Sequence, residues 1–401
     1  MDVLVVADGH YYRDDAGDVY VETTYDYNFY KRYLMAFDKV YAIVRTEKVS
    51  KAPEGRKKCS GPNVEFLDLP AYTGPIEYAK NYFKLLKCAR EYSKVTSCAI
   101  FRLPAATSNL MCRVFARTKK PFAVEIVVDP WENFAPGSID SLLRPLIRYS
   151  WTKIVKDMCI RANGASYVTN KYLQEKYPCK SILGYENYFT GSYSSVELPD
   201  DSYGYPKKYT TKSVWYISHI ANSYTDYGKG HIPLMRAVKI VRDKGYDIRI
   251  RFIGDGPKKD DFLKFASDLG LIEAVDFLGR LPSGAEVKKE ISKSDLFVFP
   301  TKAEGLPRGL LEAMSEGLPC LSSPTCGIPE ILDKRFLYEY DDYEGFAQGI
   351  INFISCVDLM EKESIRNIEV SKAFCSSKLN DKRKEFYMNL RKKAEYKNNL
   401  K

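Results

Sequence analysis

The chain has 401 residues, of which 45% are hydrophobic, and a formal net charge of +9. This amount of apolar material suffices for a large core and favours two domains, which excludes a small binding module. The ten cysteines form no C-x-x-C pair, and the three histidines lie beside no carboxylate or cysteine at ligand spacing. We therefore expect reduced thiols, no bound metal and no cofactor.

Residues 1–8 hold a short apolar run without a basic lead-in, and no later stretch has the length of a membrane span. Neither a signal peptide nor a membrane helix is predicted, which favours a cytoplasmic protein. The positive charge is concentrated in residues 378–401, which carry nine basic and three acidic side chains. Such a tail can contact nucleic acid or an anionic membrane, but the solvated face of a final helix is its more ordinary explanation. We expect no nucleic-acid partner.

Short β-branched runs alternate with helical stretches along the chain, which is the pattern of parallel sheets built from βαβ units. The first series predicts strands at 3–6, 40–44, 64–67, 99–101, 122–127 and 166–168, with helices near 28–37, 77–93, 108–117 and 139–161. A polar stretch rich in turn residues follows at 186–212. The second series predicts strands at 214–217, 248–253, 274–278, 296–299 and 320–322, with helices near 232–244, 258–268, 284–293 and 307–316.

This order predicts an α/β protein with two doubly wound domains that face each other across a cleft. We place a Rossmann-like N-terminal domain at 1–190, which would bind the acceptor, and a Rossmann-like C-terminal domain at 191–375 for the nucleotide-sugar. A basic helix at 376–401 would follow and pack back on the first domain. Ligands of such sheets bind at the carboxyl ends of the strands, so functional residues are expected in the loops after strands.

Residues 141–161 have the composition of a basic amphipathic helix. Its apolar members are Leu142, Leu143, Leu146, Ile147, Trp151, Ile154 and Val155, and its basic members are Arg144, Arg148, Lys153, Lys156 and Arg161. Two interpretations stay open: the apolar stripe packs on the sheet of the first domain, or it lies on an anionic membrane as a peripheral attachment.

Two glycine-containing loops resemble nucleotide-binding motifs without matching them. The run Gly-Asp-Gly-Pro at 254–257 follows a strand, but Lys259 stands where a dinucleotide fingerprint has its third glycine. A tight turn explains this loop as well as close approach to a ligand does. The run Gly-Lys-Gly at 228–230 is not a P-loop, because glycine follows the lysine. Lys229 is therefore either a solvated side chain or an ammonium offered to a phosphate.

The segment 301–314 follows a strand, turns through Gly305 and begins a helix near Pro307. A helix that begins at a ligand site offers free N–H groups and a partial positive charge, which suits a diphosphate. Glu304 lies in the loop and Glu312 more than one turn inside the helix, so the two carboxylates would reach different parts of one extended ligand. Carboxylates accept hydrogen bonds from sugar hydroxyls. On spacing alone, two surface residues would be the better explanation.

Further motifs surround these residues. The set consists of Lys229-Gly230, Phe252-Ile253-Gly254-Asp255-Gly256-Pro257, Val275-Asp276-Phe277-Leu278-Gly279, Ser294-Asp295, the pair Glu304 and Glu312, Gly317-Leu318-Pro319 and Gly327-Ile328-Pro329-Glu330. Together they resemble glycosyltransferase family 4, the retaining GT-B enzymes, over most of the chain. In the first half, Tyr33-Leu34, Phe37-Asp38-Lys39-Val40, Asp129-Pro130-Trp131 and Tyr167-Val168-Thr169-Asn170 resemble members that act in bacterial surface polysaccharide synthesis.

The resemblance implies a GT-B fold and a role for each matching residue. Glu312 would bind the donor ribose, Glu304 the transferred sugar and Lys229 the diphosphate, with Glu304 and Lys229 as the catalytic pair. The whole donor side would comprise Glu312, Gly254, Gly256, Arg280, Leu281, Gly305, Leu306, Pro307 and Arg308. The two glutamates are not a glycosidase acid and base, because their inferred partners are hydroxyls and the reaction requires neither of them to titrate.

Three positions depart from the family pattern. An arginine that many members place before the lysine is missing, and Ser218-His219-Ile220 stands there. The family pattern has two consecutive glycines before Ile328, and Cys326 replaces the first of them. Asp-Gly-His at 8–10 stands where the family has a glycine-rich loop after the first strand. We consider His10, Arg102 and His219 as acceptor-side candidates, and a structural role is an equal alternative for each.

The sequence thus predicts a retaining, metal-independent glycosyltransferase. It would move a sugar from a nucleotide-sugar donor to a glycan or lipid-linked acceptor in polysaccharide or glycoconjugate synthesis, in the cytoplasm or peripherally on the cytoplasmic face of the membrane. The resemblance implies that the leaving diphosphate itself takes the proton of the acceptor. Two alternatives stay open, a GT-B nucleotide-sugar epimerase and a non-catalytic nucleotide-sugar-binding protein.

Overall fold

The structure is a computed structural model and describes residues 1–136, 142–281 and 284–399. The chain divides into two compact units. The first unit comprises Met1–Phe134, Ser141–Tyr193 and Asn380–Lys401, and the second comprises Ala135–Asp140 and Ser194–Leu379. The start of the predicted helix at 139–161 and the last two residues of the predicted tail lie outside the described residues.

The first unit contains nine strands within the described residues. They are Asp2–Arg13 (β1), Val19–Val21 (β2), Lys39–Lys48 (β3), Lys57–Lys58 (β4), Val64–Pro70 (β5), Cys98–Leu103 (β6), Phe122–Ile126 (β7), Gly164–Tyr167 (β8) and Phe189–Ser192 (β9). Its helices are Tyr27–Lys31 (α1), Gly74–Tyr92 (α2), Ala106–Phe115 (α3), Pro130–Asn133 (α4), Arg144–Arg161 (α5) and Tyr172–Lys176 (α6). Short 3-10 helices cover Arg32–Met35 and Ala116–Thr118.

The sheet of the first unit is parallel in the order β5-β3-β1-β6-β7-β8-β9. The central strands are buried on both faces, as parallel strands covered by helices are. Strand β1 is longer than predicted, because its second half pairs with β2 and β3 after a register shift between Val6 and His10. Residues 8–10 therefore lie within the strand and not in a loop after it.

The second unit holds five parallel strands in the order β12-β11-β10-β13-β14 within the described residues. They are Val214–Ser223 (β10), Asp247–Asp255 (β11), Val275–Phe277 (β12), Leu296–Phe299 (β13) and Cys320–Ser322 (β14). The helices are His231–Asp243 (α7), Lys259–Asp268 (α8), Gly284–Ser292 (α9), Arg308–Ser315 (α10), Tyr343–Ile354 (α11) and Val357–Ser371 (α12). Four 3-10 helices cover Ile272–Ala274, Ile328–Glu330, Lys334–Phe336 and Lys372–Phe374.

The last helix, Ser376–Asn399 (α13), begins in the second unit and belongs to the first from Asn380 onward. Within the first unit it buries Phe386 and Tyr387, and Arg391 donates to the carbonyl of Ala36 at 2.8 Å. The basic residues of this helix therefore accompany an apolar stripe that packs on the protein. No helix in the described ranges is long and apolar enough to cross a bilayer.

Two doubly wound, Rossmann-like α/β domains are confirmed by these two sheets. Within the described residues, helices connect the parallel strands except between β3 and β5, where the connection contains only β4. In the second unit most predicted strands coincide with observed strands within a few residues. The strands β2, β4 and β9 and the helices α4, α6, α11 and α12 were not predicted. These three strands and the helices α4 and α6 are too short to show a hydrophobic period.

Candidate functional site

The carboxyl ends of the parallel strands in the second unit bring together five loops that are far apart in sequence. They follow β10, β11, β12, β13 and β14. These loops carry the predicted donor-side residues except Gly254, which lies near the end of β11, and Arg308 and Glu312, which lie on α10. Doubly wound sheets bind their ligands in the loops at this edge. The candidate site is therefore argued from the second unit.

The loop that carries Lys229 is held from three sides. The carboxylate of Asp226 accepts a hydrogen bond from the N–H of Gly228 at 2.7 Å, and the N–H of Lys302 donates to the carbonyl of Gly228 at 2.9 Å. Gly230 has φ of +87° and lies so close to Pro300 that a Cβ would come within 1.6 Å of the Pro300 carbonyl oxygen. Only glycine fits there, and this fixes Lys229 beside the loop after β13.

Lys229 and Glu304 form an ion pair between the Lys229 ammonium and Glu304 Oε1. The two side chains are 32% and 23% exposed, so the pair is partly desolvated and still reachable from solvent. The two residues predicted as the catalytic pair are thus neighbours in the structure. A cation next to a carboxylate at a helix start can meet both a diphosphate and a sugar hydroxyl.

Helix α10 begins at Arg308, one residue later than predicted, with Pro307 as its N-cap. Proline offers no side-chain acceptor to the first-turn N–H groups, so these donors point toward a ligand or water. The loop before the helix is held by a hydrogen bond of 3.0 Å from the N–H of Gly327 to the carbonyl of Gly305. The motif at 327–330 therefore supports the start of α10.

Glu312 lies in the second turn of α10, and its side chain is 19% exposed. Burial raises the pKa of Glu312 to about 7, and the guanidinium of Arg308, whose Nη1 is 3.8 Å from Glu312 Oε1, opposes this shift only weakly. This pKa describes the side chain and does not test whether the reaction requires Glu312 to exchange a proton. Its charge changes in the neutral pH range.

The loops after β11 and β12 approach each other. Gly254 has φ of +136°, and a Cβ there would lie 1.7 Å from the carbonyl oxygen of Ala221. The N–H of Gly254 donates to the carbonyl of Gly279 at 2.9 Å. Glycine is required at 254 by packing against β10, so the tight turn that the sequence left open is real. Gly256 lies in the same turn, Arg280 is exposed and Leu281 is partly buried.

Cys326 occupies the position where the family pattern has glycine, and its φ is +48°. The left-handed conformation that glycine adopts without cost is thus kept by a buried cysteine.

His219 is fully buried in the core of the second unit, and its Nδ1 lies 2.9 Å from the carbonyl of Val298. It contacts His231, which is also fully buried and stacks on Phe262 with ring centroids 4.2 Å apart. Burial lowers the pKa of His219 to about 4 and that of His231 to about 2. His219 is a neutral core residue in this structure, not one that faces an acceptor.

The other acceptor-side candidates lie in the first unit. Arg102 is 6% exposed and lies within β6, where its Nη1 is 2.7 Å from Glu125. Glu125 also accepts hydrogen bonds from three tyrosine hydroxyls, those of Tyr33, Tyr193 and Tyr387. Burial alone would raise the pKa of Glu125, but the nearby arginines and these hydrogen bonds hold it at about 2. Arg102 therefore serves a buried network.

His10 is the most accessible of the three candidates, with a side chain that is 38% exposed. It lies within β1, its Nε2 is 3.1 Å from Glu47 Oε2, and its ring stacks on Tyr12 with ring centroids 5.1 Å apart.

Asp226 orders the Lys229 loop and was not among the predicted residues. An aspartate two residues before a glycine is the turn signal that pointed to it. Among the described residues, no group of three or more His, Cys, Asp or Glu side chains is placed to hold a metal ion.

Comparisons with known proteins find similarity to glycosyltransferases. Residues 214–356 match the family described as Glycosyl transferases group 1. The chain is 26% identical over 354 residues to the protein CapJ of Staphylococcus aureus, covering 87% of this chain and 86% of CapJ. It is 23% identical over 279 residues to WcaL of Salmonella typhimurium, whose name assigns it to the glycosyltransferases of colanic acid biosynthesis, covering 64% of this chain and 68% of WcaL. The solved structure of Anabaena HepE in complex with UDP superposes with a TM-score of 0.64 at 13% identity, covering 96% of this chain and 99% of HepE.

Proposed function

We propose a reaction for this chain, which is a glycosyltransferase of the GT-B type and resembles enzymes of bacterial surface polysaccharide synthesis. It transfers a sugar from a nucleotide-sugar donor to a glycan or lipid-linked acceptor, with retention of anomeric configuration. The observation that carries the proposal is the Lys229–Glu304 pair at the start of α10. The UDP in the HepE structure supports a nucleoside diphosphate as the sugar carrier.

Each residue of the pair has a role in this proposal. The ammonium of Lys229 leaves Glu304 for the diphosphate when the donor binds, and the first-turn N–H groups of α10 add their partial positive charge. Glu304, released from the lysine, accepts a hydrogen bond from a hydroxyl of the transferred sugar. Glu312, deeper in the helix, accepts hydrogen bonds from the ribose hydroxyls.

Catalysis in this proposal depends on charge that develops on the leaving diphosphate. Lys229 and the α10 N–H groups are preorganised donors that stabilise this charge more in the transition state than in the ground state. The acceptor hydroxyl approaches from the face that the diphosphate leaves, and a diphosphate oxygen takes its proton. No side chain is required as the general base, and no metal ion is required where an ammonium and a helix start supply positive charge.

A transfer assay tests the proposal. The protein is incubated with a panel of nucleotide-sugars and with lipid-linked or oligosaccharide acceptors, and release of nucleoside diphosphate is followed. Release that depends on the acceptor, persists in EDTA and gives the donor's anomeric configuration by NMR is expected. Donor conversion without acceptor would instead favour the epimerase, and the absence of any nucleotide binding would favour a non-catalytic protein.

We also propose that α5 attaches the first unit to an anionic membrane surface. Only Val155, Met158 and Cys159 are buried in this helix, whereas Leu142, Leu143 and Leu146, at and just before its start, are 101%, 53% and 64% exposed. The second half of the helix thus packs on the unit, while the leucines at its start face solvent. Exposed leucines with basic neighbours suit the interface of an anionic bilayer.

Sedimentation with liposomes tests this attachment. We expect salt-sensitive binding to anionic vesicles, little binding to neutral ones, and weaker binding of Leu143→Glu combined with Leu146→Glu. Phe83→Glu on α2 is a matched control, because Phe83 is 81% exposed on another helix of the same unit. Equal sedimentation with both vesicle types, or none with either at low salt, would point to a soluble acceptor.

A further inference from the structure

A cavity of about 730 Å³ lies in the first unit, where α4, α5 and α6 meet. It is lined by three aromatic residues, three lysines and two other polar residues. They are Trp131, Tyr149, Tyr177, Lys153, Lys156, Lys176, Thr152 and Glu175. Its volume falls within the range of small-molecule sites. None of these residues belongs to the donor site described above.

Asp129 organises one wall of the cavity. Its carboxylate is fully buried and accepts hydrogen bonds from the N–H of Trp131 at 2.8 Å, from the ammonium of Lys176 at 2.8 Å and from the hydroxyl of Tyr177. The motif Asp-Pro-Trp at 129–131 thus caps α4 and fixes three lining residues at once. A wall held by a buried carboxylate is preorganised before any ligand arrives.

Helix α5 contributes two lysines to the lining of the cavity. Lys153 and Lys156 are separated by three positions on α5, so their side chains lie on one face of that helix. Within the described ranges, neither ammonium has a hydrogen-bond or ion-pair partner. The carboxylate of Glu175 lies 3.7 Å from Lys171, which is outside the cavity lining. Two exposed cations therefore face a cavity that contains one carboxylate.

We propose that this cavity binds the phosphate or diphosphate group of the acceptor, with Lys153 and Lys156 as its charged ligands. The inference rests on the proposed function, since it names the chemical class of the acceptor. Phosphate oxygens accept charge-assisted hydrogen bonds from both ammonium groups. The Arg148 guanidinium covers one face of Trp131 at 3.9 Å from the ring centroid. The remaining surface of Trp131, which is 42% exposed, and Tyr149, which is 61% exposed, offer contact area for the group that the phosphate carries.

The surroundings of the cavity favour a phosphate that is attached to hydrocarbon. The exposed residues Leu143 and Leu146 lie one to two turns before Tyr149 on the same helix. An amphiphile whose charged head enters the cavity could place its apolar chain along these leucines. A free inorganic anion would use the lysines and leave the aromatic and leucine surfaces without a partner.

Binding experiments on the full chain test the inference. Calorimetry measures the affinity for inorganic pyrophosphate, geranyl diphosphate and uncharged geraniol. We expect geranyl diphosphate to bind best and geraniol not to bind. Lys153→Ala combined with Lys156→Ala should weaken diphosphate binding by about 10- to 100-fold, as expected for lost charged hydrogen bonds. The variant with arginine at both positions should retain binding.

Lys84→Ala combined with Lys87→Ala is the matched control. Those lysines are also three positions apart, exposed and on a helix of the first unit, but they lie outside the cavity. Equal losses in both alanine pairs would show a general charge effect and overturn the inference. Diphosphate binding that the cavity pair leaves unchanged would overturn it as well, and so would binding to anionic vesicles alone.

The same variants separate this inference from the proposed function. If the wild type transfers sugar and the cavity pair raises the acceptor KM without changing nucleotide-sugar affinity, both hold. If the wild type transfers sugar and the cavity pair keeps the wild-type acceptor KM, only the cavity assignment fails. If no acceptor supports transfer, the proposed function fails irrespective of the result with geranyl diphosphate.

Discussion

Donor affinity should depend on the charge of Glu312. Its pKa of about 7 means that about one-eleventh of the carboxyl groups are ionised at pH 6 and about ten-elevenths at pH 8. If only the carboxylate accepts the ribose hydroxyls strongly, the binding-competent fraction rises about tenfold over this range. The dissociation constant of the nucleotide-sugar should therefore fall about tenfold from pH 6 to pH 8.

The assay is titration calorimetry with an intact nucleotide-sugar, because its esterified diphosphate does not itself titrate in this range. Glu312→Gln keeps the shape of the side chain and removes its charge, so its affinity should be weak and flat with pH. A wild-type affinity that is flat between pH 6 and pH 8, or a glutamine variant with the wild-type slope, would refute the role of Glu312.

Thermodynamic linkage checks the pKa without any ligand. The folded-state pKa of Glu312 lies above its unfolded value, so ionisation costs stability above about pH 4.5, and this cost is complete near pH 7. For a side chain that is 19% exposed, Glu312→Gln should raise the free energy of unfolding by up to about 3 kcal/mol at pH 8 and much less at pH 5. Denaturant unfolding at the two pH values measures the difference.

Three further substitutions test the site and the core. Lys229→Ala should lower turnover by about 10²- to 10³-fold, since a preorganised donor to the diphosphate is lost; near-wild-type turnover would remove it from the mechanism. His231 has a folded-state pKa below its unfolded value, so the wild type loses stability as the pH falls below about 6.5. Between pH 7 and pH 5 the wild type should lose about 2 kcal/mol of unfolding free energy that His231→Phe does not lose. Denaturant unfolding measures this, and equal pH slopes for the two proteins would contradict it. Arg102→Ala should lower the free energy of unfolding by about 3–5 kcal/mol, because it leaves the buried carboxylate of Glu125 without this partner. If only the KM for the acceptor changed, Arg102 would instead act in acceptor binding.

The sequence predicted the part of the donor site that depends on local pattern. Strands such as β13 and β14 coincide with the predicted ones, because a short apolar run between turn residues has few other conformations. The start of α10 near Pro307 and the loop glycines followed from the same local rules. Parallel topology places these loops at one edge of the sheet. The pairing of Lys229 with Glu304 came from the family resemblance, because the local pattern left a solvated lysine and two surface glutamates as open alternatives.

Other features depend on contacts between residues that are distant in sequence. Arg102 and His219 looked like loop residues at strand ends. Pairing with β7 and β11 places them inside strands, where both are buried. The pKa of Glu312 depends on how closely α10 packs, and no spacing in the sequence reports that desolvation. The cavity beside Asp129 needs α4, α5 and α6 to meet, and one carboxylate there gathers donors up to 48 positions away. Local propensity acts within a few residues, whereas burial and charge balance are set by tertiary packing.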